Sequence, residues 1–168
     1  DEESLMMNGW NSSKLVWPFL SRVGLERLGA TYGQYLLDDV LDNPPDAKLF
    51  VLAFVRDLSS EKRAKLDALK SRKGVHVFEP KKGSDLWSGS IAVEAKKAGV
   101  HFYAPAGSAF VCAAEGYVVV QALKDGPITL DFKSGPVVDV LSGDTVSETS
   151  IATIKFSKGE TRIFKTQM

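Results

Sequence analysis

Cysteine is nearly missing from this sequence. The 168 residues hold one, Cys112, which excludes an internal disulfide and any cysteine-based zinc cluster. An excess of charge of either sign is missing as well. Lys plus Arg number 21 and Asp plus Glu number 21, for a formal net charge of zero. The sequence therefore gives no electrostatic argument for nucleic acid or an anionic membrane, and neither is expected as a partner. The longest apolar stretches fall well short of the roughly 20 residues that span a bilayer. Histidine is limited to His76 and His101. No HExxH, CxxC or EF-hand spacing occurs, and Gly83-Ser84-Asp85-Leu86-Trp87-Ser88-Gly89 fits neither phosphate-cradling glycine pattern. No metal or cofactor is expected. Internal repeats, low-complexity tracts and flexible linkers are absent too.

What is present is ordinary for a globular chain, with 44% hydrophobic and 25% charged residues. A chain of this length buries roughly 70% of its unfolded surface, enough for a core without staples. Length alone fits one domain or two small packed lobes. The start, Asp1-Glu2-Glu3-Ser4, lacks the basic and apolar regions of a signal peptide. It reads as a mature chain or, preferably, as a piece of a longer one.

The first half alternates helix and strand. Ser12 or Ser13 caps a helix carrying Leu15, Val16, Phe19, Leu20, Val23, Leu25 and Leu28, with Pro18 in its first turns and Gly29 at its end. Tyr32 to Leu37 reads as a short strand, and Asp42-Asn43-Pro44-Pro45 as a loop. Lys48 to Val55 is the strongest strand, an unbroken apolar run of the kind covered on both faces. Ser59 or Ser60 caps a helix from Glu61 to about Arg72, Gly74 ends it, and Val75 to Phe78 is the next strand. Strand, helix and strand with short loops make a parallel βαβ unit.

The second half changes character. A helix from about Leu86 to Ala98 ends at Gly99, and strand-like runs follow at His101–Ala104, Ala109–Ala113, Tyr117–Leu123, Ile128–Phe132, Val137–Leu141, Ile151–Phe156 and Thr161–Lys165. Short strands at this spacing predict an antiparallel sandwich or sheet. The expected class is therefore α/β (α+β overall): a small parallel βα layer, then a mostly antiparallel β-lobe. The lobe boundary falls near residues 83–100.

Groups able to do chemistry are few. His76 and His101 each sit inside an apolar strand and read as packed or surface strand residues. A Cys112–His pair would support nucleophilic catalysis. Cys112, however, lies mid-strand without a nucleophile elbow and reads as core. Asp38 and Asp39 flank a turn, as does Asp57, rather than bracketing one glycosidic bond. Trp10 and Trp87 are candidate sugar-stacking residues, whereas Trp17 reads as packing. Asn11-Ser12-Ser13 matches a three-residue glycosylation sequon. No catalytic residue emerges.

One family pattern fits a series of blocks. These are Asp1 to Ser4, Leu28 to Leu41, Pro45 to Phe54 and Leu58 to Arg63, then Ala98 to Tyr103, Val137 to Asp144 and Gly159 to Phe164. The early blocks resemble the glutamine-amidotransferase-like, flavodoxin-like domain that follows the catalytic barrel in β-galactosidase-type glycoside hydrolases. The later blocks are similar to the small β-region that closes those proteins. The chain departs from the family in lacking the strand before Asp1 and in a short segment between Phe78 and Gly99. The family's catalytic carboxylates belong to the barrel, so the resemblance assigns no catalytic residue here.

The resemblance implies a partial flavodoxin-like lobe over 1–85 and a connecting helix with β-lobe over 86–168. It implies a non-catalytic accessory domain, with a glycoside hydrolase barrel, carbohydrate or a second copy of the chain as partners. The alternatives are a carbohydrate-binding module acting through Trp10 and Trp87, and a small Cys112-dependent hydrolase. The compartment stays open, with secretion or the periplasm consistent with polysaccharide breakdown.

Overall fold

The computed structural model describes residues 23–52, 55, 58–81, 85 and 88–166. They divide into two compact units, one built on Gly33–Val100 and the other on Leu25–Tyr32 together with His101–Met168. Helix and sheet are mixed, and most of the sheet is antiparallel.

In the first unit, helix α1 (Leu37–Asp42) carries Asp38 and Asp39 in its first turn, where carboxylates complement the helix dipole. The strand expected over Tyr32–Leu37 is not formed. Residues 33–36 are exposed and unpaired, and the buried side chains, Leu37 and Val40, recur at helical spacing. The Pro44-Pro45 pair after Asn43 prevents the helix from continuing.

Strand β1 (Leu49–Val51) runs parallel to β2 (His76–Phe78), pairing Phe50 with Val77. Between them lies α2 (Ser60–Lys70), capped by the Ser59 hydroxyl, which accepts from Lys62 N–H at 3.3 Å. The expected βαβ unit is thus present, as a two-stranded parallel sheet. Val40, Phe50, Leu66 and Leu69 form its buried core. Helix α3 (Ser88–Lys97) buries Ile91, Ala92 and Ala95, and Gly99 just beyond it has a φ of +69°.

The second unit holds strands β3 (Ala109–Ala114), β4 (Tyr117–Ala122), β5 (Gly126–Asp131), β6 (Val137–Asp139), β7 (Thr145–Ser147), β8 (Ile151–Phe156) and β9 (Thr161–Thr166). Five of them form an antiparallel sheet in the order β3-β4-β9-β6-β7, and β5 pairs antiparallel with β8. Alternation places the residues. Along β8, Ala152, Ile154 and Phe156 are buried while Ile151, Thr153 and Lys155 face outward. Both sheets feed one apolar core, in which Phe164 is fully buried and meets Phe132 edge-to-face at 5.1 Å.

Two expectations fail in this unit. His101–Ala104 is irregular rather than a strand, its backbone engaged individually: Asp131 N–H donates to the Tyr103 carbonyl, and Ala104 N–H to the Gly29 carbonyl. Strand β7 was not expected, being three residues after a Ser-Gly-Asp turn. Gly29 explains why Leu25–Tyr32 belongs to this unit. Its φ is +77°, and a Cβ there would overlap the Ala104 carbonyl, so only glycine allows that approach.

Phe164→Ala leaves a cavity where both sheets meet and is expected to destabilise this unit by about 3–5 kcal/mol, against about 0.5 kcal/mol or less for Ile151→Ala. Hydrogen exchange of the β4, β6 and β9 amides reads the difference. Equal protection in the two variants would contradict this core.

Candidate functional site

A solvent-open cleft of about 460 Å³ lies in the first unit, lined by Tyr35, Asp39, Asp42, Asn43, Pro44 and Pro45. It follows from α1 and its termination. The helix presents Asp39 and Asp42 on its exposed side because Val40 turns inward, and the rigid proline pair carries the chain away past Asn43. Tyr35 is 62% exposed. Its ring lies against the Gly33 backbone, where a Cβ would come within 2.6 Å of Cε2.

The polar groups around this cleft are not equivalent. Asp42 Oδ1 accepts from Lys65 Nζ at 2.8 Å, and Glu61 Oε1 lies 3.3 Å from the same ammonium. The hydrogen bonds to Asp42 and then Glu61 raise the Lys65 pKa. Lys62 Nζ sits 3.0 Å from Asp38 Oδ1. The Asp39 carboxylate and Asn43 carboxamide have no side-chain partner among the described residues. The cleft therefore joins an aromatic plate and apolar proline walls to one free acceptor and one free donor–acceptor.

The sequence-derived candidates are dispersed. Trp10 and Trp87 lie outside the described residues, as do Trp17, Asp57 and the Asn11 sequon. Cys112 was expected in the core and is instead exposed. Alternation along β3 sends Ala109 and Val111 inward and Cys112 outward, on the edge strand of its sheet. Neither histidine is hydrogen-bonded to it. His76 Nε2 lies 2.8 Å from Glu94 Oε2, and His101 Nε2 donates to the Asp131 carbonyl at 2.9 Å. His101 also meets the Tyr103 ring edge-on at 4.6 Å. Among the described residues no cluster of three or more His, Cys, Asp or Glu could hold a metal.

Another polar cluster serves the fold. The Asp139 carboxylate is buried and accepts from Leu141 N–H at 2.9 Å and Ser142 N–H at 3.4 Å, closing the turn after β6. Arg162 Nη1 approaches its other oxygen at 4.0 Å, and Arg162 Nε donates to Glu160 Oε1 at 2.7 Å. The Ser157 N–H and then Arg162 lower the Glu160 pKa. Sequence reading missed the cleft because its parts, a lone tyrosine, acids near a turn and a proline pair, carry no motif. Tyr35, three residues before Asp38-Asp39 and seven before Asp42-Asn43-Pro44-Pro45, was the available signal.

No protein-family model matches the sequence, and no curated protein matches it. Among solved structures, a β-galactosidase from Bacillus circulans sp. alkalophilus is similar at 21% identity and a TM-score of 0.38, covering 54% of this chain and 14% of that one. An exo-carrageenase GH42 from Bacteroides ovatus is similar at 10% identity and a TM-score of 0.46, covering 90% of this chain and 26% of that one. An α-amylase from Malbranchea cinnamomea shows 11% identity and a TM-score of 0.30 over 54% of this chain and 29% of that one. All three are glycoside hydrolases, and this chain spans less than a third of each. At these scores the likenesses carry no conclusion about chemistry.

The first unit also has a pH-sensitive contact. Hydrogen bonds from Lys97 (2.7 Å) and then His76 lower the Glu94 pKa from the ordinary 4.5. A depressed carboxylate stabilises the fold above its unfolded pKa and loses that contribution as pH falls through the folded value. Thermal melts from pH 6 down to about pH 3 are therefore expected to fall less steeply for Glu94→Gln than for the parent chain below about pH 4.5. Identical slopes would remove this contact from the acid response.

Proposed function

We propose that the chain is a non-catalytic accessory unit of a glycoside hydrolase that supports assembly or the catalytic barrel. One observation carries the reading. Two separate blocks of the family resemblance, Val137 to Asp144 and Gly159 to Phe164, lie side by side, with Asp139 opposite Phe164 and the Val140 N–H donating to the Ile163 carbonyl at 2.8 Å. Side chains of both blocks meet at the Asp139–Arg162 contact. The early blocks contain β1 and the first turn of α2, the opening part of the βαβ unit.

The turn that Asp139 closes exposes Val140 and Leu141, the latter by 75%. Apolar side chains held outward on a rigid turn suit docking against another protein surface, and the barrel is the partner this reading names. A second reading, a carbohydrate-binding unit with Trp10 and Trp87 as stacking residues, gains support from the Tyr35 cleft, which has the same kind of aromatic plate.

The test mixes the full chain with a β-galactosidase-type barrel lacking its C-terminal region and follows association by sedimentation. A complex is expected, weakened roughly ten-fold by Leu141→Asp, the scale of a lost contact of about 1.4 kcal/mol. The melting temperature should not change. No complex at any workable concentration would contradict the accessory role.

A further inference from the structure

We propose that the cleft beside α1 is a binding site for a neutral saccharide unit, which stacks on Tyr35 and hydrogen-bonds to Asp39 and Asn43. The proposal rests on the carbohydrate-binding reading above and adds a place and a charge preference. An exposed tyrosine ring is a weak platform when it swings freely. Here one edge of the ring lies over Gly33, so close that a Cβ there would come within 2.6 Å of Cε2, which narrows the positions open to it. Pro44 and Pro45 have fixed φ and form an apolar wall across the cleft.

A pyranose presents an apolar C–H face and a rim of hydroxyls, each able to donate and accept. The C–H face suits Tyr35 and the prolines. The hydroxyls suit the free Asp39 carboxylate, an acceptor, and the free Asn43 carboxamide, both donor and acceptor. Asp42 contributes less, because Lys65 already occupies Oδ1.

Charge then selects the sugar. Both charged residues lining the cleft are aspartates. The lysines nearby are committed, Lys65 to Asp42 and Glu61, and Lys62 to Asp38. A sulfate ester or uronate placed here faces Asp39, and among the described residues Lys62 and Lys65 are already paired and do not offset the repulsion. Neutral saccharides are therefore accepted and anionic ones rejected.

The experiment titrates the ¹⁵N-labelled full chain with a neutral galacto-oligosaccharide and, separately, with a sulfated one of equal length. Following amide shifts, the neutral sugar is expected to move Tyr35, Asp39 and Asn43 at millimolar concentration. The sulfated sugar should bind at least about ten-fold more weakly, and Tyr35→Ala should weaken the neutral sugar by a similar factor without lowering the melting temperature. Equal or tighter binding of the sulfated sugar at the same amides overturns the charge selection and leaves sugar binding in place. Shifts confined to Trp10 and Trp87 overturn the cleft and leave the carbohydrate reading standing. No shift with either sugar overturns both.

Discussion

Phe164 is the point on which the β-unit depends. It lies in the middle of β9, between β4 and β6, with Val118 opposite on one side and Asp139 on the other. Side chains along a strand alternate with a period of two, so a slip of one residue would turn Phe164 to solvent and Lys165 into the core. Its burial therefore sets both pairings at once. The same register brings Asp139 near Arg162, closes the turn after β6 and leaves Leu141 facing outward.

The first unit rests on less. Its core is a small cluster around Leu66 and Leu69, and two ion pairs tie α1 to α2, Lys62–Asp38 and Lys65–Asp42. Partly exposed pairs of this kind contribute about 0–1 kcal/mol each. Burial of Val40 against Leu66 and Leu69, rather than the ion pairs, holds α1 and hence the cleft wall. The pairs have a different effect, since by engaging the lysines they leave Asp39 as the cleft's free charge.

Much of the fold was legible where local and tertiary signals agree. Ser59 followed by an amphipathic run marked α2, and Ile151 to Phe156 alternates so strictly that β8 emerged at its full length. Reading failed where context decides. Tyr32–Leu37 is apolar enough for a strand but pairs with no strand among the described residues, and its last residue opens a helix instead. Cys112 belongs to a type that is usually buried, yet its place in the alternation sends it outward. His101–Ala104 supplies single backbone contacts to two different segments, which no periodicity encodes. The cleft was illegible for the same reason, because its groups converge only after α1 has formed and stopped.

On the proposed reading these residues recognise and dock but do not cleave. The most direct test is hydrolysis of an aryl β-galactoside by the purified full chain over many hours. Release no faster than in buffer is expected. Release that scales with chain concentration, and that is abolished by Asp39→Asn or Cys112→Ala, would contradict it.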